Sequence, residues 1–175
     1  MSIRDNLKRL LKPRHLAFVG GRSMARALKR CAEGGFTGPM WLVNPQHSNL
    51  EGVPCVASIA ELPCAPDGVF IATNRELTLD CVRELATKGA GGAICYASGF
   101  AEIGEQGAAL QQELLQAAGD MALLGPNCYG LLDYLHNVAL WPVAHGGKTV
   151  EKGVAILTQS GNFAYNLSMS DRSLP

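Results

Sequence analysis

The sequence predicts an α/β fold, with a mainly parallel sheet and helices on both of its faces. Short apolar runs without polar alternation recur at intervals of about 25 residues, as strands buried on two sides require. Between them, apolar residues fall at helical spacing. Hydrophobic residues make up 47% of the 175 positions and charged residues 17%, with 20 glycines available for tight turns.

In chain order, Met1 to Pro13 sets Arg4, Asp5, Lys8, Arg9 and Lys12 among Ile3, Leu7, Leu10 and Leu11, the pattern of a short amphipathic helix and not of a signal peptide. The first strand is Leu16–Val19. A helix follows with Met24, Ala27, Leu28 and Cys31 on one side and Arg22, Arg26, Lys29 and Glu33 on the other. Trp41–Val43 forms the second strand, and residues 46–67, rich in Pro, Ser and Ala, read as irregular apart from a helical turn at Ser58–Leu62. Val69–Ala72 is the third strand, before a helix expected to bury Leu77, Cys81, Val82 and Leu85 and to stop at Gly89. Ala93–Ala97 is the fourth, before a helix offering Leu110, Leu114, Leu115 and Ala118 and stopping at Gly119; both glycines read as left-handed caps. Met121–Leu124 is the fifth. Periodicity weakens over Leu131–Val143, His145 to Lys148 reads as a linker, and Val154–Leu157 is predicted to open a second unit. The expected division is therefore 1–145 for the main domain and 146–175 for the linker and the truncated start, strand, turn and helix, of a second α/β domain.

Several function classes are excluded. Fifteen basic residues balance fifteen acidic ones, and the pI is near 6.9, so no global field attracts nucleic acid or an anionic membrane. No run approaches the roughly 20 apolar residues of a membrane span. The six cysteines contain no C-x-x-C pair and fall in apolar runs or on helix faces, which points to reduced thiols and the cytoplasm. Cys95 and Cys128 have no sequence-local base and are read as buried, not nucleophilic. His15, His47, His136 and His145 lack the spacing of a metal site, so no metal is expected.

Alternating strands and helices give right-handed crossovers, which place ligands at the carboxyl ends of the strands. The first strand ends in Gly20-Gly21-Arg22-Ser23-Met24-Ala25, the position of a G-x-G-x-x-G turn in a Rossmann-like fold. Gly20 can make the tight turn and Ala25 can stand for the third glycine. Arg22 occupies the slot where a glycine would admit a pyrophosphate, which disfavours NAD. Two readings stand: a phosphate held by the helix N-terminus, Arg22 and Ser23, or a glycine turn with a solvated arginine. The second strand ends in Asn44-Pro45-Gln46, where an NAD fold would carry an acidic residue. Here a ligand contact and a strand-ending turn compete. At Ala72-Thr73-Asn74, helix capping competes with ligand contact. Ser98-Gly99-Phe100 and Gly125-Pro126-Asn127 close the fourth and fifth strands with small polar groups on the same edge. Farther on, Thr158-Gln159-Ser160-Gly161 is another strand–turn–helix junction, making Ser160 and Gly161 phosphate-binding candidates; it is not a nucleophile elbow. No catalytic residue is predicted.

Taken together, residues 12–20, Val43-Asn44-Pro45, Gly52-Val53-Pro54, Ile71-Ala72-Thr73, Ser98-Gly99-Phe100 and Gly125-Pro126-Asn127 resemble the CoA-binding domain of ADP-forming (NDP-forming) acyl-CoA synthetases, related to the succinyl-CoA synthetase alpha subunit. Residues 154–162 resemble the opening of that family's next domain. The resemblance implies coenzyme A across the strand ends, at Gly20, Ser23, Asn44, Pro45, Ala72, Thr73, Asn74, Ser98, Gly99, Phe100 and Asn127. It also implies that ATP and Mg, and the histidine that relays phosphate, act in parts of a parent protein outside this chain. Two departures are visible: the loop after Gly20 is short, and Gln46 stands where a lysine commonly follows Asn-Pro.

The expected function is thus binding of CoA or acyl-CoA within an acid–CoA ligase, with no turnover by this stretch alone. Its partners would be the other ligase domains and possible further copies of the chain. Two alternatives are the CoA-binding part of a protein-lysine acyltransferase and a stand-alone CoA-sensing module.

Overall fold

Every residue of β1 (Leu16–Gly20) is buried, which demands cover on both faces of its sheet. The computed structural model, which describes residues 1–170, supplies it. The elements are α1 (Ile3–Leu11), β1, α2 (Arg22–Glu33), β2 (Met40–Val43), β3 (Asn49–Leu50), β4 (Val53–Val56), β5 (Gly68–Ala72), α3 (Arg75–Lys88), β6 (Gly92–Cys95), a 3-10 turn (Ala101–Ile103), α4 (Glu105–Ala118), β7 (Ala122–Leu124), β8 (Leu131–Asp133), β9 (Val138–Leu140) and α5 (Gly161–Ser168). The main sheet runs β3-β4-β2-β1-β5-β6-β7. Only β3 is antiparallel to its neighbour.

The central register sets Leu16 beside both Met40 and Gly68, with β1 flanked by β2 and β5. Side chains alternate between two cores. Ala17, Val19, Val69, Ile71, Ala93 and Cys95 meet Leu79, Val82 and Leu85 of α3 and Leu114 and Ala118 of α4. Leu16, Phe18, Phe70 and Ile94 meet Leu10 of α1, Met24, Ala27, Leu28 and Cys31 of α2, and Leu140 of β9. Chain order reverses direction across β1 and β5, which makes their carboxyl ends the topological switch point.

Several sequence expectations need correction. Residues 46–67 are not wholly irregular: Glu51 and Gly52, both at positive φ, turn a β3–β4 hairpin, and β4 extends the parallel sheet beside β2. The turn at Ser58–Leu62 is present, closed by Glu61 N–H to Ser58 O and Leu62 N–H to Ile59 O. Helix α3 buries Thr78 and Leu79 and exposes Leu77, because its core face runs through Leu79, Val82 and Leu85; Asn74 caps the helix through the Leu77 N–H. Leu115 is exposed as well. Gly89 is a left-handed cap, but Gly119, at φ 53° and ψ −120°, lies outside that region. Leu131–Val143 contains the β8–β9 hairpin, packed on the α2 side.

The predicted strand at Val154–Leu157 does not form. Val154, Ile156 and Leu157 are exposed, and residues 154–157 pair with no strand among the described residues. An extended segment needs a neighbour to satisfy its N–H and C=O groups, and none lies beside it here. Helix α5 does form, capped by Ser160. The final five residues of the 146–175 unit lie outside the described residues.

At the opposite end of the sheet, Asp67 is a buried carboxylate just before β5. It accepts from Arg9 Nε at 2.6 Å and from Arg14 Nε at 2.8 Å, and Arg14 N–H also donates to it at 3.0 Å. Burial alone would raise its pKa; the hydrogen bonds from Arg14 and Arg9 outweigh this and hold the carboxyl well below its usual range. The cluster ties α1 and the entry to β1 onto β5. A hollow of about 340 Å³ lies near it, lined by Asn6, Arg9, Gly89 and Asp120 among others; the Asn6 and Arg9 side chains already bond protein atoms, and Asp120 is an exposed carboxylate.

Candidate functional site

The carboxyl edge of the sheet gathers the short polar segments that the sequence singled out. Gly20, at φ 148°, passes so close to β5 that an added Cβ would stand 2.8 Å from the Ala72 carbonyl oxygen and 2.9 Å from Met24 Cγ. Only glycine fits there. Gly21 then serves as the N-cap of α2 with no side-chain cap, and a Cβ on it would meet nothing within 4 Å. The amides of Arg22 and Ser23 therefore have no intrahelical acceptor and open onto solvent, on a 12-residue helix whose dipole favours an anion. Ala25 is buried beneath, so the third slot of the glycine turn does pack closely on the sheet.

The surroundings of this N-terminus are cationic. Arg26 pairs with Glu51 of the β3–β4 turn at 3.1 Å. The hydrogen bond from Arg26, its charge, and the charges of Arg22 and Lys29 pull the Glu51 carboxyl below its usual range. Three cations thus act on one carboxylate. Glu51 was not legible as a site residue, because the hairpin that carries it was not predicted.

Asn44 spends its side chain on the protein. Its Nδ2 donates to Gly20 O at 3.0 Å, and its Oδ1 accepts from Gln46 and His47 N–H at 2.9 and 3.0 Å. It ties the end of β2 to the glycine turn, while Pro45 and Gln46 remain exposed. Across the switch point, Ala72 contributes backbone, Thr73 Oγ1 bonds Thr78 Oγ1 at 3.0 Å, and Asn74 Oδ1 caps α3 at 2.8 Å.

Beyond β6, Ser98 is exposed and Phe100 is wholly buried in the core. Gly99 has φ 94°, and the consecutive N–H groups of Gly99 and Phe100 both donate to the Glu102 carboxylate, at 2.6 and 3.1 Å. These bonds, the Gly99 one foremost, draw the Glu102 carboxyl below its usual range. Arg75 Nη1 donates to Gly99 O at 3.1 Å. Beside this turn, Tyr96, Ser98, Asn127, Cys128 and Tyr129 line a hollow of about 200 Å³. Asn127 sits at φ 54° with its N–H bonded to Ala97 O at 2.8 Å. Burial pushes the Cys128 thiol up, and that of Cys95 to about 12, so neither is a ready nucleophile at neutral pH.

Ser160 and Gly161 reach the same edge from the far side. A Cβ on Gly161 would lie 2.9 Å from Tyr129 Cδ2, so α5 approaches the hollow at its N-terminus. The Ser160 hydroxyl is engaged as a cap, accepting from Phe163 N–H at 3.2 Å. Sequence reasoning overlooked Tyr96, Cys128 and Tyr129 as lining residues. Their signal was position alone, directly after β6 and after Gly125-Pro126-Asn127.

Comparison with known proteins identifies the family. Residues 14–134 match the family described as a CoA binding domain. The chain is 36% identical over 170 residues to trans-feruloyl-CoA synthase FCS1 from an unknown prokaryotic organism, covering 91% of this chain and 24% of that protein. It is 31% identical over 170 residues to acetate–CoA ligase [ADP-forming] I of Archaeoglobus fulgidus, covering 90% and 23%. The solved structure of dinucleotide forming acetyl-coenzyme A synthetase 1 from Ca. Korarchaeum cryptofilum superposes with a TM-score of 0.77 at 26% identity, over 93% of this chain and 36% of that one. The chain spans about a quarter of the length of these curated relatives. By residue match and by architecture, it belongs to the CoA-binding domain family and is homologous to part of the ADP-forming acyl-CoA synthetases.

Proposed function

We propose that this chain binds coenzyme A across the carboxyl edge of its sheet and serves as the CoA-handling domain of an ADP-forming acyl-CoA synthetase. The observation that carries the proposal is the uncapped N-terminus of α2 beside Arg22. Its free amides and dipole suit phosphate, and the open space over Gly21 admits one. The β6 end has the opposite character. Its amides are taken by Glu102, and the hollow beside it offers aromatic rings and the neutral polar groups of Ser98 and Asn127. The charged adenosine phosphates thus suit the β1 end, and the uncharged pantetheine arm suits the hollow by Tyr96 and Tyr129.

Gly20, Gly21, Arg22 and Ser23 are the direct phosphate candidates in this reading, and Asn44 shapes their turn. Of the pair Ser160 and Gly161, the Gly161 amide offers a second phosphate site, since the Ser160 hydroxyl caps α5 and the Ser160 N–H donates to Thr158 Oγ1 at 3.1 Å. ATP and Mg chemistry is assigned to other domains of the synthetase, which are also the proposed partners. The six free thiols suit the reducing cytoplasm.

Titration calorimetry of the 175-residue chain with CoA and with NAD tests this. Saturable CoA binding with NAD at least tenfold weaker is expected, because an NAD site would require the acidic residue that Asn44 replaces. Tighter binding of NAD, or no heat from CoA at millimolar concentration, overturns it.

A further inference from the structure

The turn that closes β6 is held by two side chains of opposite charge, neither of which lines the adjoining hollow. Glu102 bridges the N–H groups of Gly99 and Phe100, and Arg75, reaching over from α3, holds the carbonyl of Gly99. Both peptide units around Gly99 are thereby fixed in orientation, at a residue whose φ of 94° permits many other conformations. Arg75 is itself steadied by Glu76 at 2.7 Å and packs on Gly99, where a Cβ would lie 3.1 Å from Arg75 Cδ. Ser98, immediately before the clamp, is one of the five residues lining the hollow. Phe100, immediately after it, is anchored in the core. The clamp therefore fixes the backbone immediately after Ser98, at the mouth of the hollow.

We propose that Arg75 and Glu102 are positioning residues, which preorganise the Ser98–Phe100 turn to receive the uncharged arm of the ligand while touching no part of it. This rests on the CoA reading above. Without the clamp, the turn samples conformations that do not present Ser98, and binding must then offset the cost of ordering them. A carboxylate suits the task because it supplies acceptors to two adjacent donors at once. An amide in its place turns an NH2 donor toward one of those N–H groups.

The test compares CoA with adenosine 3′,5′-bisphosphate, a probe that carries phosphates but no pantetheine arm. Both are titrated at 15 °C into the unsubstituted chain and the variants Glu102→Gln, Glu102→Asp and Arg75→Ala, with thermal melting followed in parallel. Glu102→Gln and Arg75→Ala are expected to weaken CoA about tenfold, equivalent to about 1.4 kcal/mol, and to leave the bisphosphate within twofold. Glu102→Asp, which keeps both acceptors, is expected to recover most of the CoA affinity. A purely structural role would lower the melting temperature and leave the affinity of the folded protein unchanged, which overturns the proposal. Equal weakening of both ligands also overturns it. If Glu102→Gln does not fold, Arg75→Ala decides, since that side chain is partly exposed and its loss strands no carboxylate in the core. Failure of the unsubstituted chain to bind CoA overturns the functional reading and this inference with it. Normal binding that the variants leave unchanged overturns this inference alone.

Discussion

Gly20 and Ala72 meet across the junction of β1 and β5 with no room for a methyl group: a Cβ on Gly20 would lie 2.8 Å from the Ala72 carbonyl oxygen. That contact lets the chain leave β1 and enter α2 directly above the switch point. Gly20→Ala is expected to lower stability by about 1–3 kcal/mol, since it combines a backbone clash with a φ of 148° that L side chains rarely adopt. Urea denaturation measures this. A loss below about 0.5 kcal/mol would show that the turn can relax.

Gly21 separates folding from binding. A side chain there has open space, and Gly21→Asp supplies the N-cap carboxylate that α2 lacks. The variant is expected to be as stable as the parent or more so, by roughly a few tenths of a kcal/mol. Its carboxylate also occupies the amides intended for phosphate and repels one, so CoA affinity should fall by about tenfold or more. Greater stability with undiminished CoA affinity would move the phosphate site away from α2.

Asp67 makes the fold acid-sensitive. Its carboxyl pKa lies lower in the folded chain than its ordinary value of 3.8. The stabilisation is therefore fully present above that ordinary value and is lost as the pH falls through the depressed folded one. Asp67→Asn should flatten the acid limb of the stability profile and lower stability at pH 7 by about 3 kcal/mol, leaving Arg9 and Arg14 without their anion. Denaturation midpoints between pH 2 and 7 for both proteins provide the check.

Trp141 tests hydrogen-bond accounting. Its indole Nε1 is buried without an acceptor among the described residues, while its ring packs 4.9 Å from that of Tyr129. Trp141→Phe removes an unsatisfied donor and keeps an aromatic ring, so stability should change by less than about 1 kcal/mol, whereas Trp141→Ala should cost about 3–5 kcal/mol. Thermal melts distinguish the two. A large loss with phenylalanine would show that the volume or N–H of the indole, beyond an aromatic ring alone, stabilises the fold.

Periodicity along the chain was enough for the α/β class, for β1, β2, β5, β6 and β7, and for the solvent face of α2, because strands covered on both sides must be apolar throughout and helices on a sheet must be amphipathic. Local chemistry was also enough to point to the strand ends and to set NAD aside, since Arg22 and Asn44 are incompatible with its usual fingerprint. Pairing and occupancy were decided in three dimensions. The β3–β4 and β8–β9 hairpins are too short for a periodic signal and exist because a sheet edge and α2 are there to receive them. Val154–Leu157, with a clear strand pattern, forms none because no partner lies beside it. The candidate site divides in the same way. Sequence named Asn44, Asn74, Ser160 and Gly99 for their polar or flexible character, but only the folded chain shows that Asn44, Asn74 and Ser160 hydrogen-bond the protein backbone, that Glu102 fills the amides beside Gly99, and that the amides of Arg22 and Ser23 are left for a ligand. Which donors remain free depends on what every neighbouring side chain does, and that is a property of the packed molecule.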